Sequence, residues 1–258
     1  MSIERDDPPT LIAISALGYV LSNVLHEDFG HGVTAWLSGA HELTLSTVAL
    51  QSDIETHWVK ADGPLINLVF GALFWLVLRR AQRYSPATRF FLILAMAGNL
   101  FTGTGYFLFS GAFNFGDWAD VIRDFQPHLI WQLGLLVLGA VTYFGAMVLV
   151  GAELKAFKGD ESGRLRKLCW TAYFSQGVLA LVAGLPNPAG LFYVIASALP
   201  STLGANAGLL SLPAMMQSKE KALEPVGPIG RNRSWIVTGL VACLLFILFL
   251  GRGITVSR

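Results

Sequence analysis

Residues 21–39 read LSNVLHEDFGHGVTAWLSG. They close an apolar run that begins near residue 11, and they set His26, Glu27, Asp28 and His31 inside it. In a membrane helix each central charge costs roughly 2.5–3.5 kcal/mol. Four ionisable groups in six residues therefore need a compensating partner, and intramembrane ionisable residues mark a functional site by default.

The rest of the chain supports a membrane setting. Its 258 residues are 53% hydrophobic and only 14% charged, with a mean hydropathy of +0.56. Soluble domains carry about 25% charged residues, so this chain cannot coat a water-soluble fold of its size. Seven apolar runs are read, at about 11–37, 63–79, 89–110, 129–151, 168–185, 189–213 and 234–251. A helix needs about 20 residues to cross the hydrocarbon. The fifth run ends at Gly184-Leu185-Pro186-Asn187-Pro188, so the fifth and sixth are either two spans or a broken, re-entrant pair. The expected fold is an all-α polytopic membrane protein with six to seven transmembrane helices and a short β-hairpin between the first and second. It is read as one membrane domain over 1–258.

Fourteen of the eighteen Lys and Arg fall on one side of these runs, among them Arg5, Arg79, Arg83, Arg164, Lys219 and Arg231. By the positive-inside rule the N-terminus is expected in the cytoplasm and the C-terminus outside, as in a multi-pass bacterial inner-membrane protein. The start, MSIERDDPP, lacks the positive region of a signal peptide. Asp7, Pro8 and Pro9 suit a helix start. The loops at about 153–167 and 217–233 read as flexible connectors. A net charge of +1 gives no footprint for nucleic acid, and two cysteines make no disulfide framework.

Two imidazoles and a carboxylate suit a divalent metal: the nitrogens ligate it and a nearby glutamate activates water. The familiar zinc spacing is H-E-x-x-H, with both histidines on one helix face. Here the pattern is H-E-x-x-x-H. On a regular helix, i+5 lies about 140° round the axis, so the side chains diverge. A π-bulge would bring them back, and Gly30 and Gly32 ease such a distortion. HEDFGH also resembles the H-E-L-L-G-H zinc helix of the dipeptidyl peptidase III family. The plainer reading is a polar stripe that hydrogen-bonds across the bundle or relays protons.

Residues 43–50 alternate loosely, and 54–59 are expected as a second strand, forming a hairpin. Gly63-Pro64-Leu65-Ile66-Asn67 then opens the next run. In this order the chain resembles the site-2 protease family of intramembrane zinc metalloproteases over about residues 20–120. The resemblance implies a metalloprotease-like core at 10–125, followed by additional helices at 129–251. It implies zinc held by His26 and His31, Glu27 as general base, Asn67 binding substrate or orienting the site, and the hairpin holding substrate by strand addition. The chain departs from the family in its one extra motif residue and in lacking a clear copy of the Asp-bearing third motif. No acidic residue lies between Glu161 and Glu220.

The third ligand is therefore sought among His41, Glu42, Asp53, Glu55, His57, Asp62, Asp117, Asp120, Asp124 and His128. Asp117, in the aromatic and glycine-rich SGAFNFGDWADV, is favoured, with Asp120 in reserve; a helix cap or a solvated loop acid is the alternative. Asn23 lies four residues before Glu27 and reads as a partner behind the ligands or as an interhelical hydrogen bond. Gly98, Asn99, Thr102 and Gly103 read as a close-packing face. The expected activity is zinc-dependent intramembrane endopeptidase cleavage of a membrane-bound protein or peptide. The rivals are a lipid amidase, a transporter or proton relay, and a metal-binding relative without protease activity.

Overall fold

The computed structural model describes residues 5–80, 84–158, 163–188, 190–216 and 225–258. Arg83 and Lys219, used above for orientation, lie outside them, as do residues 159–162 and 217–224 of the two connectors and Ala189 at the start of the sixth run.

Helix α1 runs from Pro8 to Leu37. Asp7 caps it, accepting from the Thr10 N–H at 3.1 Å, and prolines fill the first turn. After it come strands β1 (Glu42–Leu45) and β2 (Gln51–Ser52). The second strand expected at 54–59 does not form. Instead the Thr56 hydroxyl accepts from the Val59 N–H at 3.2 Å and starts α2 (His57–Arg80). A hydroxyl before a helix competes for backbone donors, and here that outweighs the β preference of Thr and Val.

Helix α3 (Pro86–Phe113) is capped by Ser85 and is the central pillar, packed against α1, α2 and α5 (His128–Leu154). Between α3 and α5 lies the short α4 (Asp117–Val121). Helix α6 (Arg164–Gly184) packs on α1, as does α8 (Arg233–Leu248). The main core joins Leu11 and Ile14 of α1, Phe90, Ile93 and Met96 of α3, Leu154 of α5 and Leu168 of α6.

Among the described residues, five helices are long and apolar enough to cross a membrane: Pro8–Leu37, His57–Arg80, Pro86–Phe113, His128–Phe157 and Arg233–Arg252. The last two are only 22% and 17% buried, yet have mean hydropathies of 2.3 and 2.4. Their open faces are thus apolar, as hydrocarbon requires and water penalises. The other two expected runs differ. Residues 168–185 fall in α6, whose first turn holds Arg164, Arg166 and Lys167. Residues 189–213 are broken into Leu191–Tyr193, π-turns at Val194–Ala198 and Pro200–Gly204, and α7 (Gly208–Met215). Pro200 leaves one carbonyl without its helical donor.

The hairpin has a third member. Strand β3 (Ile254–Ser257), at the end of the chain, pairs antiparallel with β1, giving the order β2-β1-β3. The Arg258 guanidinium lies 4.1 Å from the Trp36 ring centroid and ties the strand down. One edge of β1 is therefore covered, and β2 is the edge strand nearer the cavity described below. At one end of the bundle Asp6 pairs with Arg164 at 2.8 Å and Arg89 with Glu153 at 3.8 Å. The sheet and α4 lie at the other.

Candidate metal centre

The middle of α1 is π-helical from Leu25 to Gly32. This closes the gap that the i+5 spacing leaves on a regular helix. The His26 and His31 ring centroids lie 4.7 Å apart, and their Nε2 atoms are 3.2 Å apart. Gly30 serves a second purpose: a β-carbon there would lie 2.5 Å from Gly63 Cα, so the glycines let α1 and α2 touch.

Asp117 reaches the histidines from the turn that follows α3. Asn114 ends that helix in the left-handed region at φ 51°, and Gly116 continues the turn at φ 92°. The chain reverses, and the first residue of α4 is aimed back at α1. Asp117 Oδ2 stands 3.2 Å from His26 Nε2 and 3.4 Å from His31 Nε2.

Hydrogen bonds identify which atoms face inward. The Ala95 carbonyl accepts from Asn99 Nδ2 at 2.8 Å, so Asn99 Oδ1 faces Asn67 and accepts from its Nδ2 at 2.8 Å. Asn67 Oδ1 is left to accept from His26 Nδ1 at 2.7 Å. His31 Nδ1 donates to the Val59 carbonyl at 2.6 Å. Both rings thus donate through Nδ1, which in the neutral imidazole leaves the Nε2 lone pair of each facing Asp117. Three buried lone-pair atoms facing one another are unfavourable without a cation between them. Zinc bonds of about 2.0–2.1 Å in a tetrahedron set ligand atoms about 3.3–3.4 Å apart, close to the three separations here. His26, His31 and Asp117 could therefore hold a metal ion.

Glu27 is buried beside this triangle without belonging to it. Its Oε2 accepts from the Leu50 N–H at 2.9 Å, in the turn between β1 and β2. Glu27, His31 and Asp117 line a cavity of about 80 Å³ whose outer wall is Leu50, Ser52 and Ile54. A larger cavity of about 760 Å³ runs from Asp117 and Tyr106 along α3 to α5 and α7.

The other candidate ligands lie outside this triangle. Asp120 pairs with Arg123, Asp62 accepts from the Thr34 hydroxyl, and Asp53 accepts from the His41 N–H. Lys60 lies 3.4 Å from Glu55, and His57 lies 3.9 Å from Asp124. Glu42 sits in β1, paired with Ser257, and His128 faces Asn114 at 3.0 Å. Asn67 is wholly buried, and its Oδ1 lies 2.7 Å from His26 Nδ1. Asn23 donates to the Thr47 carbonyl at 3.3 Å and bonds none of the three ligands.

Sequence reasoning missed four contributors. Asn99 was assigned to packing, but it orients Asn67. Tyr106 stacks on His26, centroids 4.8 Å apart. The Leu50 N–H has no side-chain signal. Gly63 makes room for His31, and its place before Pro64 was the available clue. Comparison with protein-family models, with curated proteins and with solved structures finds no match to this chain.

Proposed function

We propose that this protein is a zinc-dependent intramembrane endopeptidase of the site-2 protease type, acting on a membrane-bound protein or peptide. The observation that carries the reading is the convergence of His26 Nε2, His31 Nε2 and Asp117 Oδ2 beside the buried carboxylate of Glu27. Two His and one Asp, with Glu27 left over as a base, form the donor set of a hydrolytic rather than a closed structural zinc site. When bound, zinc supplies Lewis-acid polarisation of water and of the scissile carbonyl.

The chain's own groups do the rest. Asn67 and the Val59 carbonyl keep the ligand protons on Nδ1. The Leu50 N–H holds one oxygen of Glu27, leaving the other to take a proton from water and pass it to the leaving amine. Substrate in extended form would add along β2, because β3 covers the opposite edge of β1. The apolar open faces of the helices support a setting within or at the edge of a bilayer. The basic cluster at the Arg164 end would be cytoplasmic and the metal centre would lie toward the other side.

Glu27→Gln is the test, with metal content and cleavage of a membrane-tethered peptide measured on the purified protein. Retained metal with cleavage reduced by about 10²–10⁴ supports the peptidase reading. Retained metal with undiminished cleavage removes Glu27 from the chemistry. A wild type that binds metal and cleaves nothing leaves the metal-binding relative without protease activity as the reading.

A further inference from the structure

Behind Glu27, on the side away from β2, lies a small polar cavity of about 30 Å³. Tyr19 and Asn23 of α1, Thr102 of α3, Gln176 of α6, and Thr202 and Asn206 of the broken run line it. His26, Glu27 and Tyr106 form its wall toward the metal centre. A bundle of apolar helices has no packing reason to gather these groups.

Their hydrogen bonds do not close among themselves. Gln176 is 2% exposed and Asn206 4%. Gln176 Oε1, Asn206 Oδ1 and Asn23 Oδ1 have no hydrogen-bond partner among the described residues. The amide groups of Asn206 and Asn23 already donate to the Thr202 and Thr47 carbonyls. The Tyr19 and Thr202 hydroxyls are 3.3 Å apart and bonded to each other. Three buried acceptors thus require donors from outside the protein, since each unmet one costs about 1–3 kcal/mol.

We propose that this cavity is a hydration site holding about two water molecules, and that it delivers water to Glu27 while substrate lies along β2. About 10–15 Å³ is needed per water, so the volume matches. Water donates to the amide oxygens and accepts from the hydroxyls, whereas a cation could face only the oxygens. Glu27 borders both this cavity and the outer one. A water behind it is therefore within one carboxyl group of the reacting side. The delivery role rests on the peptidase reading; the hydration site does not.

The experiment is hydroxyl-radical labelling by a brief X-ray pulse, which marks side chains next to ordered water. It is read by mass spectrometry after rapid mixing of the detergent-purified protein into ¹⁸O-water. Tyr19, only 6% exposed, is expected to acquire ¹⁸O label in the wild type. Gln176→Leu and Asn206→Leu are expected to lower that label several-fold without lowering the unfolding temperature. Both variants should also reduce kcat for the tethered peptide with little change in KM.

An unlabelled Tyr19 in the wild type overturns the hydration site, whatever the variants do. Stabilisation by sodium that choline does not reproduce, lost in Asn206→Leu, would assign the cavity to a cation and overturn it too. Lower label with unchanged kcat overturns delivery. A wild type that cleaves no peptide but carries the label sinks the peptidase reading and leaves the hydration site standing.

Discussion

Gly63 lies directly against the imidazole of His31. A β-carbon at position 63 would overlap Nε2 and stand 2.5 Å from Cε1. The same glycine faces Gly30, where a β-carbon would lie 2.8 Å from the Gly63 nitrogen. The close approach of α1 and α2 and the placing of a ligand are thus one packing event. Gly63→Ala is expected to push His31 aside and cost at least as much metal affinity as a lost partner behind a ligand, about 10–100-fold. Gly134→Ala, with nothing within 4 Å, is the control and should bind metal like the wild type. Metal content and competitive chelator titration on both variants measure this.

Removal of a ligand should be all-or-none in stoichiometry. His31→Ala leaves His26 and Asp117, too few to hold zinc at an open tetrahedral site. Mass spectrometry of the purified protein is expected to find one zinc per chain in the wild type and none in the variant. Equal zinc in both would show that the ion binds elsewhere.

Asn67→Ala tests orientation rather than ligation. The His26 ring keeps its Nε2 but loses the acceptor 2.7 Å from Nδ1. Zinc affinity is expected to fall by about 10–100-fold, less than in His26→Ala. Cobalt substituted for zinc should show a changed absorption spectrum in Asn67→Ala while remaining bound at high concentration. An unchanged affinity would mean that Tyr106 stacking alone holds the ring.

At the other end of the bundle, pH should act through Asp6. Burial raises its carboxyl, but the Arg164 guanidinium, the Ile229 N–H and Lys167 outweigh burial and hold it below the usual range. A depressed folded pKa contributes stability above the unfolded value of about 3.9, and that stability is lost as pH falls through the folded one. Asp6→Asn leaves Arg164 without its counter-charge. It is expected to cost roughly 3 kcal/mol at pH 7, with the difference shrinking as pH drops below about 4. Thermal unfolding of the two proteins at pH 7 and pH 3 checks both the size and the sign.

Much of this was legible in residue order. The apolar runs predict the long helices because a segment of about 20 apolar residues can satisfy its backbone only as a helix in hydrocarbon. His26, Glu27 and His31 stand out because charges are costly in such a segment, and their i+5 spacing calls for the π-turn found at Leu25–Gly32. Those inferences need only local periodicity and the cost of burying charge. Tertiary structure alone decided the remainder. Asp117 became the third member because the Asn114–Gly116 reversal carries it round the end of α3, whereas Asp120, three residues on, turns outward to Arg123. Strand β3 reaches β1 from more than 200 residues away in sequence, and no four-residue alternation can name so distant a partner. Asn99 reads as a packing residue, and residue order does not join Asn23, Gln176 and Asn206, because a hydrogen bond between helices depends on helix rotation and approach. Those are set by side-chain contacts over the whole bundle, not by any one helix's own sequence.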